Sequence, residues 1–165
     1  MSIRPIIPFP DQRLRQIAAS VITFDTTLRT LAADLLDTLR SVEGLGITAP
    51  HIGVGQRVVV LNLPDSSGLE VYINPEILWL SAETAQHEEG SISMPGISAM
   101  VTRPATLKLR YADLNGHIQE KKAEGLRSVC LQHEIDQLDG IFWLQRLSSL
   151  RRNRLMARYK KLRAS

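Results

Sequence analysis

The chain has 165 residues, 44% of them apolar and 22% charged, with a formal net charge of +3. These values describe an ordinary globular protein of one-domain size and exclude a disordered or fibrous chain. No apolar run approaches the roughly 20 residues a membrane helix needs, the proline-broken start Met1 to Pro10 does not read as a signal peptide, and the lone Cys130 forms no internal disulfide, which fits a reducing cytoplasm.

In chain order, Asp11 to Arg15 follows Pro8 and Pro10 and reads as a short capped turn or helix. Asp25 is the expected N-cap of a first long helix, in which Leu28, Leu31, Leu35 and Leu39 recur at helical spacing and which Gly44 ends. Val58 to Leu61 is a β-branched strand core. Pro64 to Gly68 is a turn, with a strand expected at Leu69 to Asn74 and a further strand candidate at 78–86. Leu107 to Tyr111 alternates apolar and polar residues, Asn115-Gly116 is a hairpin turn, and Ile118 to Ala123 is the return strand. A second long helix covers 124–138, with Leu126, Val129, Cys130, His133 and Gln137 on one face that should be buried among the strands. A third covers 148–163. Hairpin-linked strands with two or three helices indicate a single α+β domain over 1–165.

Charge is uneven. Arg151, Arg152, Arg154, Arg158, Lys160, Lys161 and Arg163 form an acid-free C-terminal stretch, and the rest of the chain is net acidic. Two readings stand: a solvated helix face, or contact with a polyanion such as ribosomal RNA through phosphate neutralisation.

The second helix carries Gln132-His133-Glu134-Ile135-Asp136-Gln137. Metal hydrolases often place H-E-x-x-H on a helix: two imidazoles four residues apart hold an ion, and the Glu between them acts as general base. Here the second His is Gln137. Two further segments, Gly44 to Gly53 (GLGITAPHIG) and Glu89 to Gly96 (EGSISMPG), precede it. In order and spacing the three resemble the G-x-G-x-A-A-x-Q, E-G-C-L-S and Q-H-E-x-D-H motifs of the peptide deformylase family. Pro10-Asp11 before Arg13-Leu14-Arg15, Asn74-Pro75 and the basic C-terminal helix resemble its flanks.

The resemblance implies the peptide deformylase fold, with antiparallel or mixed strands around the central helix, and a cytoplasmic enzyme that removes formyl from the N-terminal methionine of nascent peptides. It implies a divalent metal held by one Cys and two His, whose bound water loses its proton to the helix Glu. Transferred onto this chain, the general base position is Glu134, the oxyanion glutamine position is His51, and the backbone oxyanion donor is Ile92. Of the metal positions His133 is retained, while Ser91 stands for the thiolate and Gln137 for the second imidazole. A neutral hydroxyl and an amide are poor ligands where a thiolate and an imidazole belong. No metal is therefore expected. Were one bound, it would be a single divalent ion, iron, zinc or nickel, with His51, His133 and Glu134 as a conceivable altered set that consumes the base.

By the same resemblance Leu45, Gly46, Leu126, Val129, Cys130 and the His133 ring would hold a methionine side chain. The alternative is that the apolar ones are simply core. Cys130 reads as a small buried hydrophobe, Arg127 as outward-pointing or at the pocket rim, His87 as an exposed strand-end residue, and Glu43 with Arg103 as a supporting ion pair. The strand before Glu89 to Pro95 could accept a peptide by strand addition. Three functional readings follow. The first is a deformylase-like protein with lapsed metal chemistry that still binds (formyl)methionyl peptides. The second is an active hydrolase with an altered ligand set. The third is a ribosome-associated interaction protein.

Overall fold

A computed structural model describes residues 2–164. Its helices are α1 (Thr26–Ser41), α2 (Gly125–Leu138) and α3 (Ser149–Ala164). Strands β1 (Gly46–Thr48), β2 (Val58–Leu61), β3 (Glu70–Leu80), β6 (Thr106–Ala112) and β7 (Ile118–Glu124) form one antiparallel sheet in the order β1-β2-β3-β6-β7. The pair β4 (Thr84–Ser91) and β5 (Met94–Pro104) forms a separate hairpin.

Alternation along β2 explains the layering. Successive side chains of a strand point to opposite faces, and all four residues of β2 are buried. Val58 and Val60 join Ile47 and Ile73 against Leu28, Leu31, Leu35 and Leu39 of α1. Val59 and Leu61 join Tyr72, Leu107 and Leu109 against Cys130, Leu131 and Leu138 of α2. The five-stranded sheet is thus sandwiched between the two helices, and its most apolar strand is the one covered on both faces. A third cluster gathers Ile7, Leu14, Met94, Ile97, Val101, Trp143 and Tyr159, and so anchors α3 to the β4–β5 hairpin and the N-terminal segment.

The expected caps are present. The Asp11 carboxylate accepts the Arg13 N–H at 2.9 Å, and that of Asp25 accepts the Leu28 N–H at 3.1 Å. The end of α1 differs in detail. Glu43, not Gly44, takes the left-handed conformation, with φ 53°. Gly44 is needed for room instead: a Cβ there would stand 2.7 Å from Leu39 Cδ1 and 2.9 Å from Ile92 Cγ2.

Two strand expectations need correction. The strand expected to stop at Asn74 runs on to Leu80, because Asn74 takes a left-handed φ of 51° at a bulge rather than ending the strand. Its side chain pairs both ways with Val21, accepting its N–H at 2.8 Å and donating to its carbonyl at 2.9 Å. The 78–86 candidate is consequently split between the end of β3 and the start of β4.

Candidate functional site

The three motifs converge. The first supplies β1, the second the end of β4 and its turn into β5, and the third the middle of α2. Between them lies a cavity of about 400 Å³. Leu45, Gly46, Ser91, Ile92, Leu126, Val129, Cys130, His133 and Glu134 all line it. Leu45 and Leu126 are partly exposed at the mouth, 42% and 39%, while Glu134 is 5% exposed.

Gly46 allows β1 to pass close to α2. A Cβ on it would lie 2.6 Å from Glu134 Oε2 and 3.0 Å from Leu61 Cδ2, so only glycine fits without displacing the carboxyl. Ser91 and Met94 pair across a tight turn, which places Ile92 and Ser93 at its tip. The Ser91 hydroxyl accepts the Ser93 N–H at 3.1 Å.

The charges are concentrated behind the cavity wall. His133 Nδ1 lies 2.9 Å from Glu89 Oε1, and the guanidinium of Arg103 donates to both Glu89 oxygens at 2.6 and 2.9 Å. Arg103 also donates to Asp136 at 2.9 Å, and Arg146 clamps the two Asp136 oxygens at 2.6 and 2.9 Å. Burial would raise the Glu89 carboxyl, but hydrogen bonds from His133 and Arg103 outweigh it and hold the pKa at about 2. Burial would likewise strip His133 of its proton. The neighbouring Glu134 and the bond to Glu89 win, and its pKa lies above the ordinary imidazole value. Glu134 has no hydrogen bond on Oε1, which is buried, and burial outweighs the pull of His133 and pushes its pKa up to about 7. Burial, then Glu134 and Glu89, push the Cys130 thiol up to about 12.

His51 does not join this wall. It is 1% exposed, and its Nδ1 lies 2.9 Å from both the N–H and the hydroxyl of Thr48. With Nδ1 accepting the backbone N–H, the ring proton sits on Nε2, which has no partner. Burial, reinforced by the charge on His133, lowers its pKa to about 3, so the ring is neutral. His51 is thus held through Nδ1 by Thr48 and is not among the residues lining the cavity, while its ring lies near enough to His133 to feel its charge.

Gln137 is also turned away. It is 2% exposed, and its Nε2 donates to the Leu14 carbonyl at 2.6 Å. Among the described residues no group of three or more His, Cys, Asp and Glu side chains is disposed to hold a metal ion. The side chains at the ligand positions thus do not fit the ion that the motif resemblance implies, and the altered His51–His133–Glu134 set is not assembled.

Other expectations divide. Arg127 points outward and pairs with Asp65 and Glu70, each at 2.7 Å. His87 is half-buried within β4 opposite Val101, not exposed at a strand end. The Glu43–Arg103 pair is corrected: Glu43 is exposed, while Arg103 is 4% exposed and engaged by Glu89 and Asp136. The roles of Asp136 and Arg146 went unread in the sequence. The available signal was an acid three residues after His133, neighbouring it on the surface of α2.

Comparison with known proteins agrees with this geometry. The polypeptide deformylase family model matches residues 3–153. A Brucella melitensis protein called peptide deformylase-like is 58% identical over 162 residues, covering 98% of this chain and 99% of its own. A peptide deformylase of Novosphingobium aromaticivorans is 40% identical over 185 residues, covering 99% of this chain and 98% of its own. The crystal structure of peptide deformylase from Ehrlichia chaffeensis in complex with actinonin superposes with a TM-score of 0.94 at 34% identity, covering all of both chains.

Proposed function

Since the chain belongs to the polypeptide deformylase family, we propose that it keeps the family's peptide pocket, as one domain over residues 1–165, without the family's metal chemistry. Its role is to bind the amino termini of methionyl peptides, formylated or not, in the cytoplasm where such chains are made. Metal-dependent deformylation is absent or strongly weakened.

The state of the two altered ligand positions carries this reading. Ser91 and Gln137 are neutral, and both side chains are engaged with backbone groups, Ser93 N–H and Leu14 C=O. A site needs a deprotonated, convergent ligand set to bind a transition metal tightly. Without an ion, Glu134 would have to take a proton from water of pKa about 15.7, which no carboxylate near pKa 7 does at a useful rate. The apolar wall of Leu45, Leu126, Val129 and Cys130 remains suited to an unbranched apolar side chain.

Metal analysis of the purified protein, paired with formate release from a formyl-methionyl peptide, tests the reading. The expected result is less than about one-tenth equivalent of iron, zinc or nickel and no formate. One equivalent of metal with formate release that disappears in Glu134→Ala would replace it with the active-enzyme reading. Restoring the ligands with Ser91→Cys, Gln137→His and His51→Gln asks whether the remaining scaffold still supports the reaction.

A second reading concerns α3. Arg154, Arg158, Lys160 and Lys161 are exposed on it with no acidic residue along its length. This supports a role for the helix in holding the protein near ribosomal RNA.

A further inference from the structure

Among the described residues lining the cavity, the ionisable side chains are Glu88, Glu89, Cys130, His133 and Glu134, with no Lys or Arg. His133 and Arg103 engage both oxygens of Glu89, so the Nδ1 of His133 is turned toward that partner and away from a ligand. Glu88 stands exposed at the rim. Glu134 is left over: its carboxyl lines the cavity, is 5% exposed, and offers an Oε1 to which nothing donates. A buried acceptor without a donor is costly in a folded protein. Beside a cavity it is answered most simply by a donor that arrives with the ligand. The apolar neighbours Val129, Cys130 and Leu126 fix the rest of that ligand's character.

We propose that the cavity selects peptides whose amino terminus is free. The α-ammonium donates to the Glu134 carboxylate, and the first side chain lies on Val129 and Cys130. The inference rests on the reading that the cavity holds peptide amino termini, and it names which termini. A formyl group converts the ammonium into a neutral amide with one N–H and removes the charge to which Glu134 and Glu88 respond. Selectivity then runs toward termini from which the formyl group has already gone. The cation that complements the acidic wall belongs to the ligand.

Calorimetric titration of the full chain at about pH 7.3, where Glu134 with its pKa of about 7 is mostly ionised and an α-amine of pKa about 7.7–8.0 is still mostly protonated, distinguishes the outcomes. Three ligands are compared: Met-Ala-Ser, its N-formyl form, and the analogue in which 4-(methylthio)butanoyl replaces methionyl, lacking the amino group altogether. The free peptide is expected to bind about tenfold or more tightly than either of the others, the range of one charge-assisted hydrogen bond. Glu134→Gln is expected to bring the three within about twofold, chiefly by weakening the free peptide. Should that variant fail to fold, the desamino analogue carries the test on the unaltered protein. A formyl peptide that binds as tightly as the free one, or more tightly, overturns the selectivity and leaves the peptide pocket standing. Failure of all three to bind overturns the pocket and the selectivity together.

Discussion

Gln137 and Leu14, 123 residues apart in sequence, are joined by a 2.6 Å hydrogen bond from the glutamine Nε2 to the leucine carbonyl. Both residues are buried, at 2% and 1% exposure. The bond therefore satisfies a backbone acceptor that water does not reach and ties the N-terminal segment to α2. Gln137→Ala should lower stability by about 1–3 kcal/mol, the cost of an unsatisfied buried acceptor. Urea unfolding measures this, and a loss below a few tenths of a kcal/mol would mean that Leu14 finds another donor.

Gly46 and Glu134 are coupled by space. Gly46→Ala places a methyl 2.6 Å from Glu134 Oε2 and 3.0 Å from Leu61 Cδ2, and a loss of about 1–3 kcal/mol is expected from overpacking. The same substitution in a Glu134→Ala background should cost markedly less, since the nearest clashing atom is gone. A double-mutant cycle checks it: additive losses would show that Leu61 and the backbone set the cost.

Glu134 gives a pH signature. Its folded pKa of about 7 lies above the ordinary 4.5, so between these values the folded chain holds a proton that the unfolded chain has released. This contribution to stability is full below pH 4.5, falls as pH rises, and levels off above about 7. Relative to the unaltered protein, Glu134→Gln should gain on the order of 2–3 kcal/mol between pH 4.5 and pH 8. Chemical unfolding at both pH values reads the difference, and parallel profiles would refute it.

Glu89 has the opposite sign. Held at about 2 by His133 and Arg103, it contributes stability that is present above pH 4.5 and is lost as pH falls toward 2. Glu89→Gln leaves Arg103 and His133 without their shared anion. It should cost about 3–5 kcal/mol at neutral pH and flatten the acid limb of the stability curve. A neutral-pH loss smaller than 1 kcal/mol would mean that Asp136 takes over the guanidinium.

For α3 the expectation concerns salt. Replacing Arg154, Arg158, Lys160 and Lys161 by Gln, which spares the hydrogen bonds of Arg151 and Arg163 to Met100 and Phe9, should weaken co-sedimentation with ribosomes. It should also reduce the slope of log K against log salt by about 3. An unchanged slope would remove this helix from the contact.

What could be read in advance depended on how local the signal was. Asp25 with Leu28, Leu31, Leu35 and Leu39 carries a cap and a period within one helix, and α1 follows from them directly. The β-branched run at Val58 fixes β2 in the same way. β5 escaped, because MPGISAMVTRP has Pro and Gly near its start and only a weak alternation; it is strand through its pairing with β4. The site divides along the same line. The order of the three motifs points to the segments that border the cavity, but not to the turning of His51 toward Thr48 and of Gln137 toward Leu14. The partner of Arg103 was misassigned to Glu43, because the choice among acids is made by the β4–β5 register and by the position of Asp136 on α2, neither of which is local.

Cys130 has a consequence for oxidative chemistry. It is the chain's sole cysteine, burial pushes its thiol up to about 12, and the residue lining the cavity at position 91 is a serine. The pocket therefore presents no thiolate at neutral pH, and peroxides and soft electrophiles attack thiolates. The cavity wall thus lacks the low-pKa sulfur that oxidants attack first, which a thiolate-held metal centre carries.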